Sequence, residues 1–119
     1  MLVDTSVWVD HLRQRNTALV ELLEGAEVWT HAFVIGELAC GNLAQRSKLL
    51  TSLAALPHVP VAAHEEVLTF VDARHLMGRG LGWIDMHLLT AATLAKIPFW
   101  TNDKRLASVA TEFGLQRRK

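Results

Sequence analysis

The sequence has 119 residues, the length of one ordinary domain, and we expect a single domain over residues 1–119. Half of the residues are hydrophobic and twelve basic residues balance twelve acidic ones, so the composition excludes a disordered chain and does not by itself indicate a nucleic-acid partner. Cys40 is the single cysteine, which excludes an internal disulfide and a Cys-based zinc site.

The sequence carries no membrane or export signal. No apolar run approaches the roughly 20 residues that a membrane-spanning helix needs. The segment from Met1 to Asp4 lacks the basic region and the long apolar region of a signal peptide. We therefore expect a cytoplasmic protein with no membrane association and no attached targeting segment.

Short apolar runs that end at polar residues predict two strands of a parallel sheet. The first run is Leu2-Val3, which ends at Asp4, and the second is residues 97–101, which ends at Asn102 and Asp103. Weaker strand patterns occupy residues 27–31, 59–62 and 115–117.

Apolar residues recur at helical spacing along the rest of the chain. The predicted helices are one that begins at Thr5 or Ser6 and carries residues 7–12, and others over residues 18–23, 33–41, 46–56, 65–77, 84–95 and 104–113. Strands that alternate with helices indicate an α/β domain with a parallel sheet, here rich in helix.

Two acidic residues follow the two main strands. Asp4 and Asp103 lie where the carboxyl ends of parallel strands form the ligand crevice of α/β proteins. Helix capping is an equally good explanation for either residue, because aspartate is a preferred cap between a strand and a helix.

Two further acids lie on apolar helix stripes. Glu37 follows Val34 by three residues, and Asp85 precedes Leu88 by three. We expect both carboxylates to face inward, although acids are seldom buried without a partner. The alternative explanations are a buried salt bridge with an arginine for Glu37 and a favourable helix-dipole position for Asp85.

Four carboxylates brought together would repel one another unless a cation lay between them. Mg²⁺ and Mn²⁺ prefer oxygen ligands, and carboxylate-bound metal ions are a common means of hydrolysing phosphodiesters. Outside these four acids, eight acidic residues remain against twelve basic ones. That surface suits a polyanionic substrate.

The order and spacing of these acids resemble those of PIN-domain ribonucleases, and most closely the VapC toxins of bacterial toxin–antitoxin pairs. The motifs that carry the likeness are Val3-Asp4-Thr5-Ser6, Glu37-Leu38, Asp85-Met86-His87-Leu88-Leu89-Thr90-Ala91 and Trp100-Thr101-Asn102-Asp103-Lys104-Arg105-Leu106. The likeness runs over essentially the whole chain. It implies a three-layer PIN-like α/β fold, in which a short parallel sheet of four to five strands is flanked by about seven helices.

The resemblance also implies a function. The chain would be an Mg²⁺- or Mn²⁺-dependent endoribonuclease, the toxin of a toxin–antitoxin pair, which cleaves RNA with metal-activated water. Its partners would be RNA, a VapB-like antitoxin protein and a second copy in a homodimer. The implied catalytic and metal-binding residues are Asp4, Glu37, Asp85 and Asp103, and Ser6 and Thr101 would be hydroxyls that orient a carboxylate or water.

A phosphorelay receiver domain is the main alternative, because it is also a short α/β domain that binds Mg²⁺ in an acidic pocket. It would need paired acids after the first strand and a phosphorylatable aspartate in mid-chain. Here Asp4 stands alone, and no aspartate lies between Asp10 and Asp72. An aspartate-dependent phosphatase would need an acid where Ser6 stands, and an interaction module would leave the acids on apolar stripes unexplained.

The aromatic and basic residues give weaker indications. We expect the histidines to be structural, with His87 on a different helix face from Asp85. Trp83 is the one aromatic placed to stack on a base, although core packing is its expected role. Candidate phosphate contacts are Arg13, Arg15, Lys104, Arg105 and residues 117–119.

Overall fold

Two short parallel strands lie at the centre of the fold. The computed structural model of the chain describes residues 1–116. In it, β1 (Leu2–Val3) pairs with β2 (Phe99–Trp100) in parallel, with Leu2 opposite Phe99 and Val3 opposite Trp100. All four side chains are buried, as expected for strands that are covered on both faces.

Other extended segments form only single-residue bridges, one with β1 and one between two of these segments. Trp29 forms an isolated parallel bridge with Leu2, and Thr30 forms another with His58. The Phe99 N–H donates to the Leu115 carbonyl at 2.7 Å. The predicted sheet of four to five strands is therefore not confirmed, because within residues 1–116 only β1 and β2 form a ladder.

Proline explains why one of the weaker strand patterns gives only a bridge. Pro57 and Pro60 bracket His58, and a proline has no N–H to donate to a ladder. The bridge at His58 also lies just before the predicted range of 59–62. The end of the third pattern, residue 117, lies outside the described residues, as do the candidate phosphate contacts at 117–119.

Seven helices are present in residues 1–116, and each corresponds to a predicted one. They are α1 (Thr5–Arg13), α2 (Thr17–Glu24), α3 (Ala32–Ala39), α4 (Arg46–Ala54), α5 (His64–Ala73), α6 (Trp83–Ala95) and α7 (Lys104–Glu112). The largest difference is at α5, which ends at Ala73 instead of residue 77. His75 has a left-handed φ of 54°, and a residue in that conformation ends a helix.

Helix α6 runs through the hydrophobic core. Every residue from Met86 to Ala92 is buried, and a helix that is buried all round belongs at the centre of a domain. It packs against α5, while α3 packs against α1 and α4. Across residues 1–116, the helices are all too short or too polar to cross a membrane.

His31 is a buried polar residue that starts α3. Its Nδ1 atom accepts a hydrogen bond of 2.9 Å from the Phe33 N–H, so the ring caps the helix. Its Nε2 atom is buried without a hydrogen-bond partner among the described residues. The pKa of His31 is lowered to about 4, mainly by burial and to a smaller extent by the neighbouring His87 and His58.

Acidification should destabilise the protein through His31. The unfolded chain takes up a proton on this ring near pH 6.5, whereas the folded chain does so only near the lowered pKa of about 4. The contribution of the neutral His31 ring to the free energy of unfolding should therefore be fully present above pH 6.5. The free energy of unfolding should fall by up to about 3 kcal/mol as the pH falls to 4. Urea denaturation across this pH range measures the effect.

His31→Asn is the matched variant for this measurement. Asparagine is a good N-cap and can accept from the Phe33 N–H, but it does not titrate. The variant should be less stable at pH 7, because its side chain is smaller, and should lose less stability on acidification. An equal pH dependence in both proteins would exclude His31 as the cause.

Candidate active site

Asp4 is the most enclosed of the four candidate acids. It ends β1 and immediately precedes α1, and it is only 6% exposed. The hydroxyls of Ser6 and Thr101 each donate a hydrogen bond of 2.7 Å to its Oδ2 atom. Because Thr101 follows β2, these two hydrogen bonds join the carboxyl ends of both strands.

Backbone amides set the direction of the two hydroxyl hydrogen bonds. The Asn102 N–H donates to Ser6 Oγ at 3.0 Å, and the Asp103 N–H donates to Thr101 Oγ1 at 3.1 Å. Each hydroxyl has one proton, so a hydroxyl that accepts from an amide can direct that proton to Asp4. Asp4 is thereby held as an acceptor, with both hydrogen bonds on the same oxygen.

Asp85 lies in the first turn of α6 and is half-buried. Its Oδ2 atom accepts a hydrogen bond of 3.0 Å from the Gly82 N–H. Burial raises the pKa of Asp85, the Gly82 hydrogen bond opposes that change, and the charges of Asp4 and Asp103 raise the pKa further. The Asp4 and Asp103 carboxylates therefore lie close enough to Asp85 for their charges to act on it.

Asp103 is exposed and caps α7. Its Oδ1 atom accepts a hydrogen bond of 3.0 Å from the Leu106 N–H. Asp4 occupies the corresponding position before α1, but its side chain makes no capping hydrogen bond. The capping explanation therefore applies to Asp103 and fails for Asp4.

Glu37 is exposed, so the prediction that it faces inward is wrong. Val34 and Leu38 carry the buried face of α3, and a step of three residues turns a helix by about 300°. Glu37 therefore lies at the edge of that face, where its Oε1 atom accepts a hydrogen bond of 2.7 Å from Thr5 Oγ1. Its exposure also excludes the alternative of a buried salt bridge.

The four acids do not form a finished metal site. Within residues 1–116, no three His, Cys, Asp or Glu side chains are arranged to hold a metal ion. Glu37 is hydrogen-bonded to Thr5, and one oxygen of Asp103 is used by the helix cap. The chemistry of the donors nevertheless fits Mg²⁺ or Mn²⁺, because Asp4, Asp85 and Asp103 share a region and offer oxygen ligands.

Basic side chains lie next to this acidic region. Lys104 and Arg105 begin α7 and line a shallow pocket with Arg79 and Ser108. Arg105 lies against Gly80, where φ is +81° and an added Cβ would be 2.6 Å from Arg105 Nη1. Glycine at position 80 therefore permits both the left-handed turn before α6 and the close approach of the guanidinium group.

A group of aromatic and histidine rings joins α3, α5 and α6, and the sequence analysis did not predict it. Trp83 contacts His64 and His87, with ring centroids 5.1 and 4.9 Å apart. Phe33 contacts His87 at 4.7 Å and His31 at 5.1 Å. The spacing of four residues between Trp83 and His87, neighbours on one helix face, was the available signal.

Trp83 does not occupy the core position that was expected for it. Its exposed fraction is 40%, whereas Trp8 and Trp100 are buried, with exposed fractions of 4% and 9%. His87 is buried, with an exposed fraction of 5%, in keeping with the structural role that was expected for the histidines. The exposed tryptophan lies two residues before Asp85.

Comparison with known proteins identifies the family. Residues 1–112 match the PIN domain, and the chain belongs to the PIN-domain family. It is 47% identical over 116 residues to Ribonuclease VapC32 of Mycobacterium tuberculosis, in strains CDC 1551 / Oshkosh and ATCC 25618 / H37Rv. The alignment covers 97% of this chain and 94% of that protein. The resemblance inferred from the acidic motifs is therefore confirmed, and the receiver-domain alternative is rejected.

The cap at Asp103 gives a prediction about stability alone. Asp103→Ala should lower the free energy of unfolding by about 1 kcal/mol, whereas Asp103→Asn should change it little, because asparagine caps as well as aspartate. Chemical denaturation measures both variants. Asn16→Ala is the matched control, since the Asn16 side chain caps α2 through the Leu19 N–H at 3.0 Å, and it should cost about as much. Equal losses from both Asp103 variants would contradict the capping role.

Proposed function

We propose that this chain is a divalent-metal-dependent endoribonuclease that acts as the toxin of a toxin–antitoxin pair. The observation that carries the proposal is the placement of Asp4 after β1 and Asp103 after β2, joined through the Thr101 hydroxyl, with Asp85 of α6 near both carboxylates. A region of crowded carboxylates favours a cation, and metal ions support phosphodiester hydrolysis. Membership of the PIN-domain family and the likeness to a named ribonuclease support the same function.

We assign the metal to Asp4, Asp85 and Asp103, with Glu37 completing the acidic set. Mg²⁺ and Mn²⁺ are the ions that these oxygen donors suit best. When bound, such an ion activates a water molecule and neutralises charge on the phosphate. The ion would also relieve the repulsion that raises the pKa of Asp85, so proton and metal compete for the same region.

The two hydroxyls would orient Asp4. Ser6 and Thr101 bind the Oδ2 atom, so we assign the Oδ1 atom to the metal. The backbone amides of residues 102 and 103 hold the hydroxyls in turn. This arrangement fixes the carboxylate before any ligand arrives, which lowers the cost of organising the site.

The basic pocket would bind the RNA backbone. Lys104 and Arg105 lie next to Asp103, where they can contact phosphates on either side of the bond that is cut. Hydrolysis by water, without the 2′-hydroxyl as nucleophile, leaves a 5′-phosphate and a 3′-hydroxyl. We place this reaction in the cytoplasm, where the RNA substrate is available.

Cleavage should therefore require added metal. Purified protein should cut RNA with Mg²⁺ or Mn²⁺ and stop on addition of EDTA, because the acids alone cannot activate water. End-labelling of the products should detect 5′-phosphates. Undiminished cutting in EDTA, or 2′,3′-cyclic phosphate ends, would indicate a metal-free mechanism and contradict the proposal.

Asp4→Asn should abolish cleavage without unfolding the protein. The amide oxygen of asparagine can accept the hydrogen bonds from Ser6 and Thr101, but the charge that binds the metal is lost. Cleavage should fall by at least about 100-fold, while the melting temperature stays the same or rises because repulsion is relieved.

Asp10→Asn is the matched control for Asp4→Asn, because it removes an exposed charge from the same helix, α1. It should cleave RNA at the wild-type rate. Asp103→Asn, which keeps its helix cap, should lose cleavage with little loss of stability. Wild-type activity in Asp4→Asn would refute the assignment of the site.

An antitoxin and a second copy are the proposed protein partners. An unoccupied acidic region attracts a cation, so an arginine of the antitoxin could form two hydrogen bonds with one carboxylate and exclude metal or RNA. Expression of the chain should arrest bacterial growth, and coexpression with its neighbouring gene should restore it. Equal arrest in both cases would contradict the antitoxin proposal. The homodimer is tested by the mass of the purified protein in solution.

A further inference from the structure

Trp83 is an exposed aromatic ring at the start of α6, the helix that carries Asp85. It is the first residue of α6, two residues before Asp85, and its ring lies on the helix face of His87. Its exposed fraction of 40% is large for a tryptophan, a residue that is usually well covered. Exposure of a large apolar ring costs free energy that burial would recover, so the position calls for an explanation.

Neighbouring rings hold Trp83 in place. The His87 ring meets it nearly at a right angle, with an interplanar angle of 89°, and the His64 ring is tilted by 54°. His87 is in turn packed against Phe33 at 4.7 Å. Trp83 is thus supported from α5 and from its own helix, and a supported ring loses little freedom when it binds a ligand.

We propose that Trp83 is a stacking platform for an unpaired nucleobase next to the phosphodiester that is cut. The inference rests on the proposed ribonuclease function and adds to it a class of substrate. A base can stack on a tryptophan only when it has left its helix, so the RNA must be single-stranded at this point. Arg105 packs against Gly80 in the loop before α6, so Lys104 and Arg105 could supply charges for phosphates of the same strand.

Binding of two uniform oligonucleotides tests the proposal without reference to sequence specificity. One is a fluorescein-labelled adenine oligoribonucleotide of about a dozen nucleotides, and the other has the same number of phosphates but abasic residues throughout. Fluorescence anisotropy in EDTA, with the probe checked on a gel for integrity, measures affinity in the absence of cleavage. Stacking of one base contributes roughly 5- to 150-fold to affinity, so the wild-type protein should prefer the adenine probe by at least about fivefold.

Three variants test whether the preference for the adenine probe depends on the Trp83 ring. Trp83→Ala should lose it by binding the adenine probe more weakly and the abasic probe unchanged, because only the stacked base is affected. Trp83→Phe keeps a ring and should retain most of the preference. Leu94→Ala is the matched control: it removes an exposed apolar side chain, 59% exposed, from the far end of α6, and should retain the preference completely.

Several results would overturn the proposal. They are equal binding of both probes by the wild-type protein, binding of neither, an unchanged preference in Trp83→Ala, and an equal loss for both probes in that variant. Should Trp83→Ala fail to fold by circular dichroism, the wild-type preference and the Trp83→Phe variant decide the matter. Loss of antitoxin binding with unchanged RNA binding would assign the ring to the protein partner instead.

These results stand apart from the test of the ribonuclease itself. Metal-dependent cleavage and the effect of Asp4→Asn do not involve Trp83. An active, metal-dependent nuclease with no preference for the adenine probe would refute only the stacking platform.

Discussion

A buried carboxylate requires hydrogen-bond donors, and the way Asp4 obtains them organises this molecule. Its donors are Ser6, two residues away, and Thr101, on the opposite side of the strand pair. The hydroxyls are themselves held by backbone amides at the start of α7. A single oxygen atom thus connects β1, α1, β2 and the loop that leads into α7. Burial is the main cause of the raised pKa of Asp85, and the charges of Asp4 and Asp103 raise it further.

Sequence reasoning about the site worked best where chain position determines geometry. A polar residue at or just beyond the end of a buried parallel strand lies near the strand's carboxyl end. Asp4, directly after β1, and Asp103, three residues after β2, could therefore be placed without coordinates. Glu37 was wrongly predicted to face inward. Apolar spacing locates the buried face of a helix only to within the rotation of one residue, and a residue at the edge of that face, such as Glu37, is exposed. Spacing along α6 indicates the Trp83–His87 pair, but the rest of the ring cluster depends on contacts between three helices, which no local pattern specifies.

The fold was predictable to a similar degree. All seven helices follow from apolar periodicity, and errors fall at their ends, where a left-handed residue such as His75 stops α5 early. The pairing of the minor strands was harder to predict, because a segment that forms a single-residue bridge and one that forms a full ladder have the same sequence pattern. At His58 the flanking prolines indicate only that pairing is limited. How many residues pair depends on tertiary packing, not on the segment itself.

The pairing of β1 with β2 also has a consequence for biosynthesis. β1 leaves the ribosome before β2, and Thr101, whose hydroxyl supports Asp4 from the other strand, follows Asp4 by 97 residues. Domains fold largely as units during translation, and a nascent chain that ends before residue 99 has no second strand and no Asp103. A growing polypeptide therefore carries an incomplete set of acids. Because Asp103 is one of the proposed metal-binding acids, we expect such a chain to be inactive as a ribonuclease.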